Sequence, residues 1–120
     1  MNRINYHGRS FRSSSNSDTG EVSDETIFHY HQDGKVIWAE YSGGAIVRGS
    51  IIGKVNEDNN LDFVYQHINR RGELKTGKCH STPRILDDGR IELQEKWTWT
   101  SGDCTSGTST IEEIKNSRKL

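Results

Sequence analysis

Glu95 is the residue with the clearest chemical promise. It lies in the run Arg90–Thr100, where Ile91, Leu93, Glu95, Trp97 and Trp99 alternate with Glu92, Gln94, Lys96 and Thr98. In a strand, period-two alternation puts the first set on one face, and that face is the apolar one. A carboxylate there loses its hydration, so its pKa rises unless a cation or hydrogen bonds hold it ionised. Such a group serves as a polar anchor at the base of an aromatic pocket, as a general acid or base, or as half of a buried ion pair. Arg84 and Lys78 are the candidate cations. A two-residue Asp88-Gly89 turn would set Arg84 diagonal to Glu95. The alternation Leu61, Phe63, Tyr65, His67 offers further donors and acceptors, and a two-residue Arg71-Gly72 turn would bring Thr76, Lys78 and His80 to the same face.

A second constellation is His29-Tyr30-His31, two imidazoles on one side of a strand at a spacing that can chelate a metal. A third ligand would have to come from Glu40, His67 or His80. The next glutamate, Glu40, lies across a hairpin rather than a few residues on, so hydrogen-bonded histidines are the expectation and no metal is assigned. Cys79 faces opposite to His80 in a regular strand, which argues against a Cys–His nucleophilic pair. No G-x-S-x-G, Walker loop or G-x-G-x-x-G occurs, so no cofactor is expected.

These groups need strands to position them. Alanine occurs twice, whereas there are 11 Ile, 5 Val, 9 Thr and 10 aromatic residues, a balance that disfavours helix. Turn signals recur at even intervals: Asp18-Thr19-Gly20, Asp33-Gly34, Gly43-Gly44, Glu57–Asn60, Arg71-Gly72, Asp88-Gly89 and Ser101–Asp103. Between them the expected strands are Arg9–Ser15, Glu25–Gln32, Lys35–Tyr41, Ala45–Val55, Leu61–Asn69, Glu73–Ser81, Arg84–Asp87, Arg90–Thr100 and Thr105–Ile114, with Pro83 at a bulge or corner. An open meander of that many strands leaves two edges bare, and closure removes them. The expected fold is therefore one all-β domain over residues 1–120, an antiparallel up-and-down barrel of about eight or nine strands. The lipocalin, avidin and fatty-acid-binding barrels are its fold-level analogues, and such a barrel is wide enough for one small ligand. Residues 1–5 and 115–120 are expected to fray.

Register is open at Gly43-Gly44. A two-residue loop groups Trp38 and Glu40 with Ala45, Val47 and Ile51; a three-residue loop groups Ile37, Ala39 and Tyr41 with them instead. The expectation is the first, with Trp38 and Glu40 inward; the orientation of His29 and His31 turns on the same choice.

Composition narrows the partners. The 120 residues carry 16 basic and 17 acidic side chains, net −1, which provides no basic footprint for nucleic acid. No apolar run approaches the ~18 residues of a membrane-spanning helix. The first residues hold no secretory h-region, so a cytoplasmic location with reduced Cys79 and Cys104 is expected.

The runs Phe28–Gln32, Val36–Gly44, Gly49–Gly53, Tyr65–Asn69, Gly77–Pro83 and Glu95–Thr100 resemble a small bacterial family of uncharacterised all-β proteins. The resemblance spans about Tyr6 to Ile114, and members often bear the label N-acetylglutamate synthase. An acetyltransferase would cradle acetyl-CoA with a [QR]-x-x-G-x-[GA] loop leading into a helix. That loop is missing from the sequence, so the synthase activity is not expected.

The function expected is binding of a small molecule in or at the mouth of the barrel, through Trp38, Glu40, Tyr65, His67, His80, Glu95, Trp97 and Trp99. An enzyme using Glu95 with His67 or His80 as acid and base is the alternative. A third reading is a self-associating or protein-binding barrel, a homodimer for instance, whose aromatics face a partner.

Overall fold

The segments rich in β-branched and aromatic residues form strands throughout the computed structural model, which describes residues 3–16, 21–102 and 104–114. In order they are β1 (Ser10–Asn16), β2 (Ile27–Asp33), β3 (Val36–Gly43), β4 (Ile46–Val55), β5 (Leu61–Asn69), β6 (Leu74–Ile85), β7 (Ile91–Trp99) and β8 (Ser106–Glu113). Each pairs antiparallel with the next, and β8 returns to β1, closing the expected barrel at eight strands. The segments Glu73–Ser81 and Arg84–Asp87 prove to be one strand, β6. Pro83 causes no register shift where it pairs with Leu93. β5 reaches along β6 only as far as Ser81, so Pro83 has one edge without a strand neighbour, where a missing N–H is tolerated.

One turn type recurs in three places. In Asn56–Asn60, Asn69–Glu73 and Leu86–Arg90 the first residue's N–H bonds the last residue's carbonyl at 2.9, 3.0 and 2.8 Å. The residue before the last is left-handed each time: Asn59 (φ 68°), Gly72 (φ 78°) and Gly89 (φ 90°). This is the three-residue hairpin loop, in which the left-handed residue ends the loop instead of forming the second half of a two-residue turn. One extra loop residue moves the pairing by one, and every side chain on the following strand changes face.

Several expectations are corrected on that account. On β6 the inward residues are Gly77, Cys79 and Ser81, while Thr76, Lys78 and His80 fall in the alternating outward row. Arg84 lies opposite Glu92, not diagonal to Glu95. On β3 a bulge between Tyr41 and Gly43 takes up the extra residue, so Ile37, Ala39 and Tyr41 are buried and Trp38 is 37 % exposed. Glu40 faces out with it.

The barrel has two unlike ends. At one, Tyr6, Phe11, Tyr30, Ile37, Leu61, Leu93 and Ile111 are all at most 1 % exposed. Ile4, in the stretch expected to fray, helps to plug that end, its N–H donating to Asn59 Oδ1 at 3.0 Å, and beside it the Tyr6 hydroxyl donates to the Asn59 carbonyl at 2.6 Å. Residues 115–120, Met1, Asn2 and the turn signal Asp18-Thr19-Gly20 lie outside the described residues. The other end holds Tyr41, Tyr65, His67, Trp97 and Trp99.

Candidate functional site

The groups at the second end are set by register and by two close approaches. Ser81 of β6 and Ser109 of β8 both lie directly opposite Glu95 of β7. All three point inward, so the carboxylate has a hydroxyl on either side: Ser81 donates to Oε2 at 2.9 Å and Ser109 to Oε1 at 3.2 Å. Tyr41 and Tyr65 lie flat over Gly49 and Gly77 on the neighbouring strands. A Cβ on either glycine would stand 2.3 Å from the ring it supports, so only glycine lets these rings approach the sheet.

The resulting cavity is walled by Phe28, Tyr41, Phe63, Tyr65, Trp97 and Trp99, with Glu95, Ser109, Cys79 and Ile51 below and His67, Glu21 and Val22 at the mouth. The cavity has a volume of about 50 Å³. Trp97 and Trp99 tilt against each other at 5.7 Å, and Trp99 meets Tyr65 edge-on at 5.7 Å.

Glu95 is 8 % exposed, and burial pushes its carboxyl up to about 7 against the pull of the two serine hydroxyls. No ion pair reaches it among the described residues. The expected partners are elsewhere: Arg84 Nε donates to Glu92 Oε1 at 3.0 Å, and Lys78 faces out between Val64 and Thr98.

At the mouth, residues 21–26, which lead into β2, lie over the opening. The Thr26 hydroxyl donates to the Gly43 carbonyl at 3.1 Å, pinning the segment to the β3–β4 turn. Glu21, further along, accepts His67 Nε2–H at 2.7 Å and Asn69 Nδ2–H at 3.0 Å. The Tyr41 hydroxyl donates to His67 Nδ1 at 2.9 Å, which completes a tyrosine–histidine–glutamate chain. Burial lowers the His67 pKa against the raising influence of Glu21, so the imidazole is neutral and its proton sits on Nε2. For Glu21, burial raises the pKa but the hydrogen bonds from His67 and Asn69 outweigh it, and the net shift is downward. Burial also raises the Cys79 thiol and the Tyr41 and Tyr65 phenols.

Of the eight residues singled out from sequence, Tyr65, His67, Glu95, Trp97 and Trp99 meet in this cavity. Trp38, Glu40 and His80 do not: Glu40 pairs with His31 at 2.8 Å, Trp38 stacks on His31 at 5.5 Å, and His80 pairs with Asp62 at 2.6 Å, all on the outer surface. His29 is there too, its Nδ1 2.8 Å from Ser10 Oγ. Three metal-ligating side chains do not converge anywhere among the described residues. Trp97 and Trp99, facing inward, are not available to a protein partner; the outer row Trp38, Ile52 and Val64 is partly exposed. Ser81, Ser109 and Tyr41 follow from the pattern once the loops are read as three-residue. Glu21 belongs to no strand and carries no periodic signal.

No curated protein matches the sequence. A family model described as avidin-like protein matches residues 4–114, the stretch that runs from the plugged end through the last strand. The closed eight-strand meander and the match over residues 4–114 agree: the chain belongs to the avidin-like family.

Proposed function

We propose that this barrel binds a small molecule in the cavity at its open end. The observation that carries the reading is Glu95, a carboxylate buried beneath aromatic walls with two serine hydroxyls and, among the described residues, no paired cation. A structural core gains nothing from such a group, because burying an unpaired charge is unfavourable. A recognition site gains orientation and selectivity from it. The test is a panel of small metabolites, headed by biotin as the compound the family's name suggests, read by tryptophan emission and thermal shift. A ligand should move the emission of Trp97 and Trp99 saturably and raise Tm, as any molecule that binds the native state does. Glu95→Gln should alter that response. A panel that leaves both signals flat at millimolar concentration contradicts the reading.

The Tyr41–His67–Glu21 chain favours a second reading, acid–base catalysis in the same cavity. The histidine involved is then His67, since His80 is outside. Under this reading Glu95→Gln abolishes turnover without lowering Tm.

A further inference from the structure

The cavity has the makings of a cation site. Each oxygen of Glu95 accepts one serine hydroxyl, whereas a carboxylate offers about four lone-pair positions. One position on each oxygen is therefore left for a ligand. The walls are ring faces and edges, and ring faces attract positive charge. At the mouth a cation already exploits this, with Lys75 Nζ 5.7 Å above the Trp99 ring.

We propose that the cavity takes a small organic ammonium ion, its charge against Glu95 and its alkyl groups against Trp97, Trp99 and Tyr65. This rests on the reading of the barrel as a ligand-binding protein and names the ligand's class. An organic ammonium ion meets two needs at once: it neutralises the carboxylate and sits against aromatic rings, and where it carries N–H or O–H groups these also fill the free lone-pair positions. An uncharged amide or alcohol meets only the last. The space fits, since about 50 Å³ open to water centres holds roughly three to five water-sized groups, the size of a methylammonium or trimethylammonium head.

Only ionised Glu95 can bind the cation, so binding displaces its proton. The titratable groups nearest it are Tyr30 on β2, Tyr41 on β3, Tyr65 on β5 and Cys79 on β6, all four raised by burial and neutral across the range of interest. At the mouth stand His67, lowered by burial, Glu21, lowered by its hydrogen bonds, and Lys75 over Trp99, and β8 contributes the non-ionising Ser109. Through that range the carboxyl near 7 sets the pH dependence.

The experiment uses the whole chain with choline chloride, whose charge does not change with pH, and its uncharged isostere 3,3-dimethylbutan-1-ol, at ionic strength matched with sodium chloride. Tryptophan emission and amide NMR shifts report binding. Choline should saturate, with an apparent Kd about tenfold lower at pH 8.5 than at pH 6, because Glu95 is mostly protonated at the lower value. The alcohol should bind at least tenfold more weakly. Glu95→Gln should lose both the affinity and its pH dependence while circular dichroism shows an unchanged barrel; Trp99→Leu, which keeps the carboxylate, should weaken choline severalfold. The proposal is overturned if choline binds no better than the alcohol, if its affinity ignores pH, or if it survives Glu95→Gln. Should the alcohol or another neutral compound bind while choline fails, the cavity remains a ligand site and the cation inference falls. Should nothing bind, both fall.

Discussion

The two ends of the barrel are built from the same strands and the same aromatic-rich alphabet, yet one is solid and the other hollow. At the plugged end the rings interlock: Phe11 meets Tyr30 edge-on at 5.0 Å, and Tyr6 closes the gap from the N-terminal segment. At the open end the rings line a space, two of them lying on glycines, and the polar groups form a roof and a floor. On the proposed reading, stability resides mainly in the first region and recognition in the second. A closed barrel has no edges to defend, so one end can be spent on a cavity while the other holds the fold together.

Truncation tests this contrast most strongly. Phe11→Ala should lower unfolding free energy by about 3–5 kcal/mol, the range for aromatic-to-alanine changes in a packed core. Phe63→Ala, on the cavity wall, should lose clearly less, because one side of that ring already lacks neighbours to forfeit. Equal losses in urea denaturation would break the comparison.

The next effect has the opposite sign. Because the Glu95 carboxyl rises to about 7 in the folded chain, the native state keeps a proton that the unfolded state has released. Stability is therefore fully present below the unfolded value near 4.5, falls as pH rises through 4.5 to 7, and the loss is complete above that. Glu95→Gln should be stabilising by about 3 kcal/mol at pH 8 and neutral at pH 4. A difference that is flat with pH would show that the floor of the cavity is not what sets this titration.

Gly77→Ala should cost about 1–3 kcal/mol, since the added methyl forces the Tyr65 ring off the sheet. It should also redden Trp99 emission as water enters. The smallest effect is expected of Tyr30→Phe. Its hydroxyl has no partner among the described residues, so removing it should be neutral or stabilising by about 1 kcal/mol. A marked loss would mean that the hydroxyl is engaged, and that the boundary between the two ends lies nearer the cavity.

Much of this architecture is legible in the residues. The barrel follows from spaced turn signals and the scarcity of helix formers. The inward sets on β5 and β7 follow from unbroken alternation, as in Leu93, Glu95, Trp97 and Trp99. What escapes is the register between strands. Arg71-Gly72 and Asp88-Gly89 read equally well as a two-residue turn or as the end of a three-residue loop, and the difference reverses which of Cys79 and His80 faces inward. For the same reason Arg84 is misplaced as the partner of Glu95, and the true companions, Ser81 and Ser109, are overlooked. The bulge after Tyr41 does the same to Trp38. Glu21 is beyond periodicity altogether, because its position over the mouth depends on how a loop folds back on His67.

The titration of the Glu95 side-chain carboxyl, followed by carbon NMR with Glu95→Gln to assign the resonance, tests the central claim most directly. A midpoint near 7 in the ligand-free protein is the result required by a hollow end in which no cation among the described residues pairs with Glu95. A midpoint in the ordinary glutamate range, near 4.5, would mean that the carboxylate is solvated or paired, and would contradict it.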